Sequence, residues 1–363
     1  MLPPGCEPRC HGCRHRGLDI TSSHAQKQGY LARVLAAWSD RLRPLRAVPD
    51  AARLGYRQRV TLNATHDVAT GWRFGLMRRD ELIAIHDCPV HDERVRALVH
   101  HLAERLPAPY VLPLAYLQVA GRQATLIVKA HEVAATALDA ALDDLESTGI
   151  EGLWLHLHPA AGRRLFARSG WRLVWGSAES RDALGLVYGP TAFLQPLPAL
   201  HLEALAAAAA HLRAGEGSSV LDLYCGHGAT LRMWTGTGAR ALGVELAGEA
   251  VRDAARNAPR AEVLRGACSQ RLPQIRDWWE TGGGERLAYL NPPRSGLDSD
   301  VAEALARQLR PARIAYLSCS AGTLARDLHL FEIAGYGIDA ILPFDFFPQT
   351  HHVETLALVR LAE

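Results

Sequence analysis

The sequence has little that would suit it to a membrane or to export. No stretch approaches the ~18 uninterrupted apolar residues of a membrane-spanning helix. The opening residues, MLPPGCEPRCHGCRHR, hold no apolar core of a secretory signal. A cytoplasmic protein with no membrane partner is expected. Net charge is also scarce: 40 Lys plus Arg against 38 Asp plus Glu leave +2. That balance is too mild to establish a nucleic-acid partner and too basic to exclude one. Arginine far outnumbers lysine, which genomic base composition explains as readily as phosphate binding. Cysteines number seven, an odd count that argues against a disulfide framework in a reducing compartment. With 48% hydrophobic and 21% charged residues, disorder, collagen and coiled coil are excluded. No internal repeat is present, and the only biased run is alanine-rich. At ~100–200 residues per domain, 363 residues predict two domains.

The apolar pattern divides the chain near residue 190. Residues 1–20, rich in Cys, Pro, Gly and Arg, cannot bury a core alone. Leu31, Val34, Leu35, Trp38 and Leu42 predict a helix within Gln26–Leu45. Strands are expected at Tyr56–Leu62 and Phe74–Ile85, and a hairpin from Tyr116–Val119 to Ala124–Val128. His131–Glu146 has the spacing of an amphipathic helix, and Leu153–Leu157 and Trp171–Trp175 alternate as strands. Residues 1–190 are therefore expected to form a mixed α+β domain with a Cys-rich arm. From 191 to 363 short apolar runs alternate with helical patterns: Ser219–Tyr224, Ala239–Glu245, Ala261–Arg265, Arg286–Leu290 and Arg313–Ser318. That alternation predicts a mostly parallel sheet covered by helices on both faces. Two last strands, near Gly337–Pro343 and Val353–Leu361, are expected as an antiparallel hairpin at one edge.

Chemistry concentrates at the carboxyl ends of those strands, where open α/β sheets bind ligands. VLDLYCGHG, residues 220–228, is a strand running into a glycine turn that carries Asp222. It is neither the dinucleotide G-x-G-x-x-G nor a Walker loop. It suits a ligand with an amino-acid cation and a ribose, and Glu245, closing the next strand, can accept both ribose hydroxyls. Together these features read as S-adenosylmethionine binding. Asn257, in the following helix, reads as a surface or capping residue.

LNPPRSGL, residues 290–297, follows the fourth strand. Its two prolines remove two N–H donors and fix two φ angles, holding Asn291 at the strand tip. Amino-methylating enzymes carry an aromatic after a similar N-P-P; here Arg294 stands there. Cys319, in LSCSAGTLARD, lies at the fifth strand-to-helix turn, where a helix dipole favours a thiolate. Glu354, in FDFFPQTHHVE, sits where the chain re-enters the sheet and can serve as a base from a partly apolar pocket. Taken singly, each has the bland reading of a core thiol or a strand residue. Cys225 and Cys268 keep that reading. His351 and His352, adjacent on a strand, would face opposite ways and are expected at most to touch RNA.

Cys6, Cys10, Cys13 and Cys88 form a second group. Four thiolates suit zinc or an iron–sulfur cluster, and on spacing alone zinc is slightly favoured.

In this order the motifs FLQ (Phe193–Gln195), LDLYCGHG, GVE, NPPRSGL, YLSCSAGTLARDL and FFPQTHHVE resemble the RNA uracil-C5 methyltransferases, which make 5-methyluridine. The resemblance covers the last ~170 residues and implies a Rossmann-like class I methyltransferase domain with a mostly parallel seven-stranded sheet. It implies Cys319 as nucleophile, Glu354 as proton acceptor, and Gln195, Tyr224, Glu245 and Asn291 as S-adenosylmethionine contacts. It further implies that Cys6, Cys10, Cys13 and Cys88 hold a 4Fe-4S cluster, with Cys88-Pro89 matching the fourth site. Asn291 stands where many members have Asp, as in a 23S rRNA branch. Pro196 and Leu197 replace a usual Asn, and Gly266-Ala267-Cys268 replaces an acidic position. The implied activity is methylation of a uridine in RNA, with 23S rRNA the expected substrate and a monomer the expected state. The alternatives are a tRNA T-loop uridine and a non-catalytic RNA-binding or assembly protein. Arg57, Arg59, Arg73, Arg78 and Arg79 are candidate phosphate contacts.

Overall fold

A computed structural model describes residues 2–362. The chain divides into two compact units, Met1–Gly17 with Pro49–Pro196 and Leu18–Val48 with Leu197–Glu363. The expected division at 190/191 thus lies close to the observed one at Pro196/Leu197. Residues 18–48, expected in the first domain, instead pack with the second.

The first unit is built on a seven-stranded sheet: β1 (Arg59–Asp67), β2 (Gly71–Arg78), β3 (Glu81–Ala84), β4 (Leu114–Ala120), β5 (Gln123–Val128), β6 (Gly152–Leu157) and β7 (Trp171–Gly176), ordered β3-β2-β1-β4-β5-β6-β7. All pairs are antiparallel except β5–β6. Phe74–Ile85, expected as one strand, is two, because Arg79 turns the chain at φ 55°. The β4–β5 turn needs Gly121: its φ is 61°, and a Cβ there would stand 2.4 Å from the Tyr188 hydroxyl. Between the second and fourth strands the chain also forms a helix, Glu93–Arg105, burying Val95, Leu98, Val99 and Leu102 at helical spacing. The long helix expected at His131–Glu146 is broken into short turns, with Asp144 left-handed at φ 58°. A small ribbon, β8 (Ser180–Arg181) and β9 (Val187–Tyr188), completes the unit.

The second unit holds β10 (Ser219–Leu223), β11 (Arg240–Glu245), β12 (Glu262–Arg265), β13 (Arg286–Leu290), β14 (Arg313–Ser318), β15 (Tyr336–Phe344) and β16 (Glu354–Leu361), ordered β12-β11-β10-β13-β14-β16-β15. The first five are parallel, as their alternation with helices predicts, and β16 inserts antiparallel between β14 and β15. The order reverses between β11 and β13 about β10, so the switch point falls at the end of the VLDL strand.

The helix expected at Gln26–Leu45 runs Ile20–Val34. Beyond it the chain turns extended and pairs with the edge: Arg43 and Arg46 donate backbone N–H groups to Ile341 and Pro343 at 2.9 Å. Proline at 44 suits that extended course. From this helix Lys27, one of only two lysines in the sequence, reaches Asp345. Both are 1% exposed, and the Lys27 Nζ lies 2.5 Å from Asp345 Oδ1 and 3.1 Å from the Phe347 carbonyl. His24 Nε2 is 3.5 Å from the other oxygen.

Removing one partner of a buried ion pair strands the other charge. Lys27→Met is expected to lower stability by about 3–5 kcal/mol in urea unfolding. The double change Lys27→Met with Asp345→Leu should recover most of the loss, because no charge is then stranded.

Candidate active site

Every motif of the second unit ends on one edge of its sheet. Leaving β10, Tyr224 adopts φ 62° and Gly226 and Gly228 φ 55° and 86°, which curls backbone N–H groups around the strand end. Gly228 is required by close approach, since a Cβ would stand 2.8 Å from the Ala254 Cα. A Cβ on Gly226 would meet nothing within 4 Å, so that side of the turn is open. Glu245 reaches the turn from β11 and accepts the Gly226 N–H at 3.1 Å and the Ala247 N–H at 2.7 Å. Asn257 donates to the His227 carbonyl at 2.8 Å, a loop-fixing role rather than a cap. Asp222 is fully buried, accepts from the Trp234 indole at 3.0 Å, and burial pushes its carboxyl up to about 7. The Tyr224 hydroxyl is turned toward Cys268 and Asp298, and burial raises its pKa. Asn291, half-buried, donates its backbone N–H to Leu223 at 3.3 Å, so the ends of β13 and β10 are tied together.

The second cluster is set by strand register. The β14–β16 ladder ends on Ser318 opposite Thr355. One step further brings Cys319 level with Glu354. Glu354 is 6% exposed and pairs on its other side with Phe344. Asp327 locks the surrounding loops. It is buried and accepts the Tyr316 hydroxyl at 2.7 Å and the Leu297 N–H at 3.1 Å. Arg326 grips it at 2.7 Å while donating to the Leu297 carbonyl at 2.9 Å. The helix Ala321–Ile333, capped by Ser320, is thereby bound to the NPPRSGL loop, and Thr323 bonds the Arg294 carbonyl at 3.3 Å.

The charges of these groups are coupled. Burial pushes Glu354 up to about 7, and Arg294 pulls it back. Burial and the Glu354 charge raise the Cys319 thiol, while Arg294 lowers it. A helix-stabilised thiolate was expected at Cys319. The thiol does sit just ahead of a helix, but desolvation and a neighbouring carboxylate raise its pKa. Arg294, which the sequence marked only by the absence of an aromatic, is the cation of the pair.

The sequence model described as tRNA (Uracil-5-)-methyltransferase matches residues 286–361, the stretch that carries Asn291, Cys319 and Glu354. An RNA methyltransferase of Oceanobacillus iheyensis is 31% identical over 198 residues, 52% of this chain and 42% of that protein. One from Thermosynechococcus vestitus is 29% identical over 391 residues, covering 98% and 84%. The family model thus matches the C-terminal stretch, and the chain is similar to RNA methyltransferases over most of its length. In the first relative the match spans under half of the whole protein. In fold the chain is similar to the Pyrococcus abyssi tRNA (uracil-54, C5)-methyltransferase solved with S-adenosyl-L-homocysteine. The TM-score is 0.72 at 22% identity, over 97% of this chain and 86% of that one. The second unit therefore has the class I S-adenosylmethionine-dependent methyltransferase fold, with a sheet that is parallel in part.

Gln195 lies in the first unit, at its boundary, and its Oε1 is buried without a hydrogen-bond partner. His351 and His352 are not on a strand: they precede β16, their rings lie 4.1 Å apart, and Arg294 Nη2 is 3.2 Å from His352 Nε2. Cys225 and Cys268 are buried, as read. Of the candidate phosphate arginines, Arg59 is engaged inside its own unit, donating to the Ala192 carbonyl at 3.1 Å and standing over the Phe193 ring. The Cys-rich arm is seated on the β3–Cys88 region. A Cβ on Gly5 would come within 2.5 Å of the Asp87 carbonyl, and Arg9 pairs with Glu81 at 2.7 Å. Burial pushes Cys13 up to about 11. Arg57 lowers it, and Cys88, Cys10 and Cys6 raise it further, which places the four thiols in one electrostatic neighbourhood. Among the described residues, no three His, Cys, Asp or Glu side chains stand in a metal-holding arrangement.

The coupling has a measurable consequence. The pH midpoint for iodoacetamide alkylation of Cys319, followed by peptide mass spectrometry, should fall in Glu354→Gln and rise in Arg294→Met. Equal midpoints in all three proteins would show the three side chains to be electrostatically independent.

Proposed function

We propose that the protein transfers a methyl group to carbon 5 of a uridine in RNA, 23S rRNA being the substrate, with Cys319 as nucleophile and Glu354 as base. The observation that carries this reading is the register that sets Cys319 level with Glu354 beside Arg294. S-adenosylmethionine supplies the methyl group. The open glycine turn, the Glu245 carboxylate and Asn291 at the ends of β10, β11 and β13 fit its ribose and its amino-acid cation, with Tyr224 and Gln195 as the remaining contacts.

The chain's own groups then act in sequence. The Cys319 sulfur bonds to uracil carbon 6, and its electron pair becomes an enolate that makes carbon 5 nucleophilic. After carbon 5 is methylated, Glu354 takes its proton, the ring double bond reforms and the C–S bond breaks. Because the Glu354 charge raises the Cys319 pKa, an ionised Glu354 disfavours a second charge on the sulfur. The uridine must leave its stack to reach both groups.

The four N-terminal thiols support the 23S rRNA assignment, since the tRNA enzymes of bacteria generally lack a cluster. Cys6, Cys10, Cys13 and Cys88 would hold a 4Fe-4S cluster. Their shared neighbourhood, the Gly12 N–H directed to Cys10 Sγ at 3.4 Å and the Arg57 cation suit an anionic thiolate group. Anaerobic purification with iron and sulfide assay tests this; a colourless protein carrying zinc would refute it.

Labelled methyl should pass from S-adenosylmethionine to 23S rRNA from a deletion strain, and Cys319→Ala should abolish transfer. Methylation of tRNA alone would redirect the substrate, and none at all would favour a non-catalytic RNA-binding protein. Glu354→Gln should accumulate a denaturation-resistant protein–RNA adduct, seen as a gel shift. Glu354 must be ionised to act, so turnover should fall as pH drops below about 7.

A further inference from the structure

From Gly152 to Ala178 the sequence has no aspartate or glutamate, yet it carries Arg163, Arg164, Arg168 and Arg172. In a chain whose net charge is only +2, four uncompensated cations in one segment are a local concentration. The fold gathers them on one element. Strand β6, the connecting loop and β7 form a hairpin, and β7 is the outermost strand of its sheet. Arg163, Arg164, Arg168 and Arg172 are all exposed. Elsewhere Arg122, Arg240, Arg313 and Arg326 pair with carboxylates. None of the hairpin arginines does so among the described residues.

The loop that carries them is built rather than loose. His156, fully buried, accepts the Ala167 N–H at 2.9 Å, and Trp171 donates to the Ala167 carbonyl at 3.0 Å. Burial pushes His156 down to about 4, so it stays a neutral acceptor. Its ring stacks on Trp171 at 4.1 Å, and Phe166 closes the cluster at 5.3 Å. His158 holds the Arg164 carbonyl at 3.1 Å. Gly170, at φ 87°, lets the chain pass where a Cβ would stand 2.3 Å from the Leu157 carbonyl. An ordered aromatic base thus presents guanidinium groups with no internal acid to neutralise them.

We infer that the β6–β7 hairpin is an RNA-backbone binding surface, with Arg163, Arg164, Arg168 and Arg172 contacting phosphates. Guanidinium forks match phosphate oxygens, and contacts of this kind position RNA without reading its sequence. The aromatic faces are spent on one another, so the hairpin recognises charge and not bases. This inference rests on the reading that the substrate is RNA.

The test compares full-length wild type with the quadruple Arg→Gln variant, the pair Arg163→Gln with Arg164→Gln, and Arg307→Gln as a control from the other unit. Binding of a labelled 23S rRNA transcript is measured between about 50 and 200 mM salt. Each phosphate contact contributes about 0.7–0.9 to the slope of log affinity against log salt. The quadruple variant should lose about 3 units of slope and at least about tenfold in affinity. The pair should lose about half that slope, and the control none. S-adenosylhomocysteine binding and circular dichroism should be unchanged, and KM for RNA should rise without a fall in kcat. If wild type binds with a steep slope and the quadruple variant matches it, the hairpin assignment is wrong and the RNA reading stands. If wild type itself shows no salt-dependent RNA binding, both fall.

Discussion

The antiparallel pairing of β16 with β14 is the constraint on which the chemistry depends. A parallel sheet alone would bring the ends of β10, β11, β13 and β14 to one edge, enough to bind a ligand. It would leave no strand beginning at that edge. Because β16 runs the opposite way, its first residue arrives where β14 ends, and a carboxylate comes level with a thiol. Side chains alternate across a strand, so a slip of one residue would send Glu354 to the opposite face. The run Thr355–Val359 is buried almost throughout, and its ladders to β14 and β15 hold that register on both sides.

What holds the far side of that pairing is a buried charge pair. Phe344 lies opposite Glu354, and Asp345 is the next residue. Lys27 secures Asp345 and the Phe347 carbonyl from a helix that lies some three hundred residues away in sequence. A buried ion pair is a poor source of net stability, since desolvation offsets its attraction. Its use here is geometric: it fixes where the chain leaves β15 before the turn through His351 and His352. This also accounts for residues 18–48 packing with the second unit although the sequence places them inside the first.

Much of this was legible before any coordinates. Apolar runs with helical stretches between them specify parallel strands, and all five were found within a residue or two. The terminal hairpin followed from the absence of a long helix between its two strands. Local pattern failed where a distant partner decided the outcome. Leu42 continues the helical spacing of Leu31 and Trp38, yet the chain there is extended, because an unpaired edge strand offered hydrogen bonds that a helix would have forgone. His131–Glu146 has the right period, but Asp144 turns left-handed and divides it. At the site, Cys319 and Glu354 could be named from their motifs, whereas Arg294 was noticed only as a missing aromatic. Nothing in the sequence near Lys27 hints at Asp345.

Desolvation, which raises the Cys319 thiol, bears on how the site controls its own reactivity. A thiol held as a thiolate in the resting protein would be open to oxidation and to stray electrophiles. Burial and the Glu354 charge oppose that ionisation. Arg294, exposed and adjacent, tempers both effects. Were the helix dipole the dominant influence, Cys319 would titrate low whatever Glu354 did. Because the carboxylate contributes, Cys319 and Glu354 are electrostatically linked, and a change at Glu354 alters the proton affinity of Cys319.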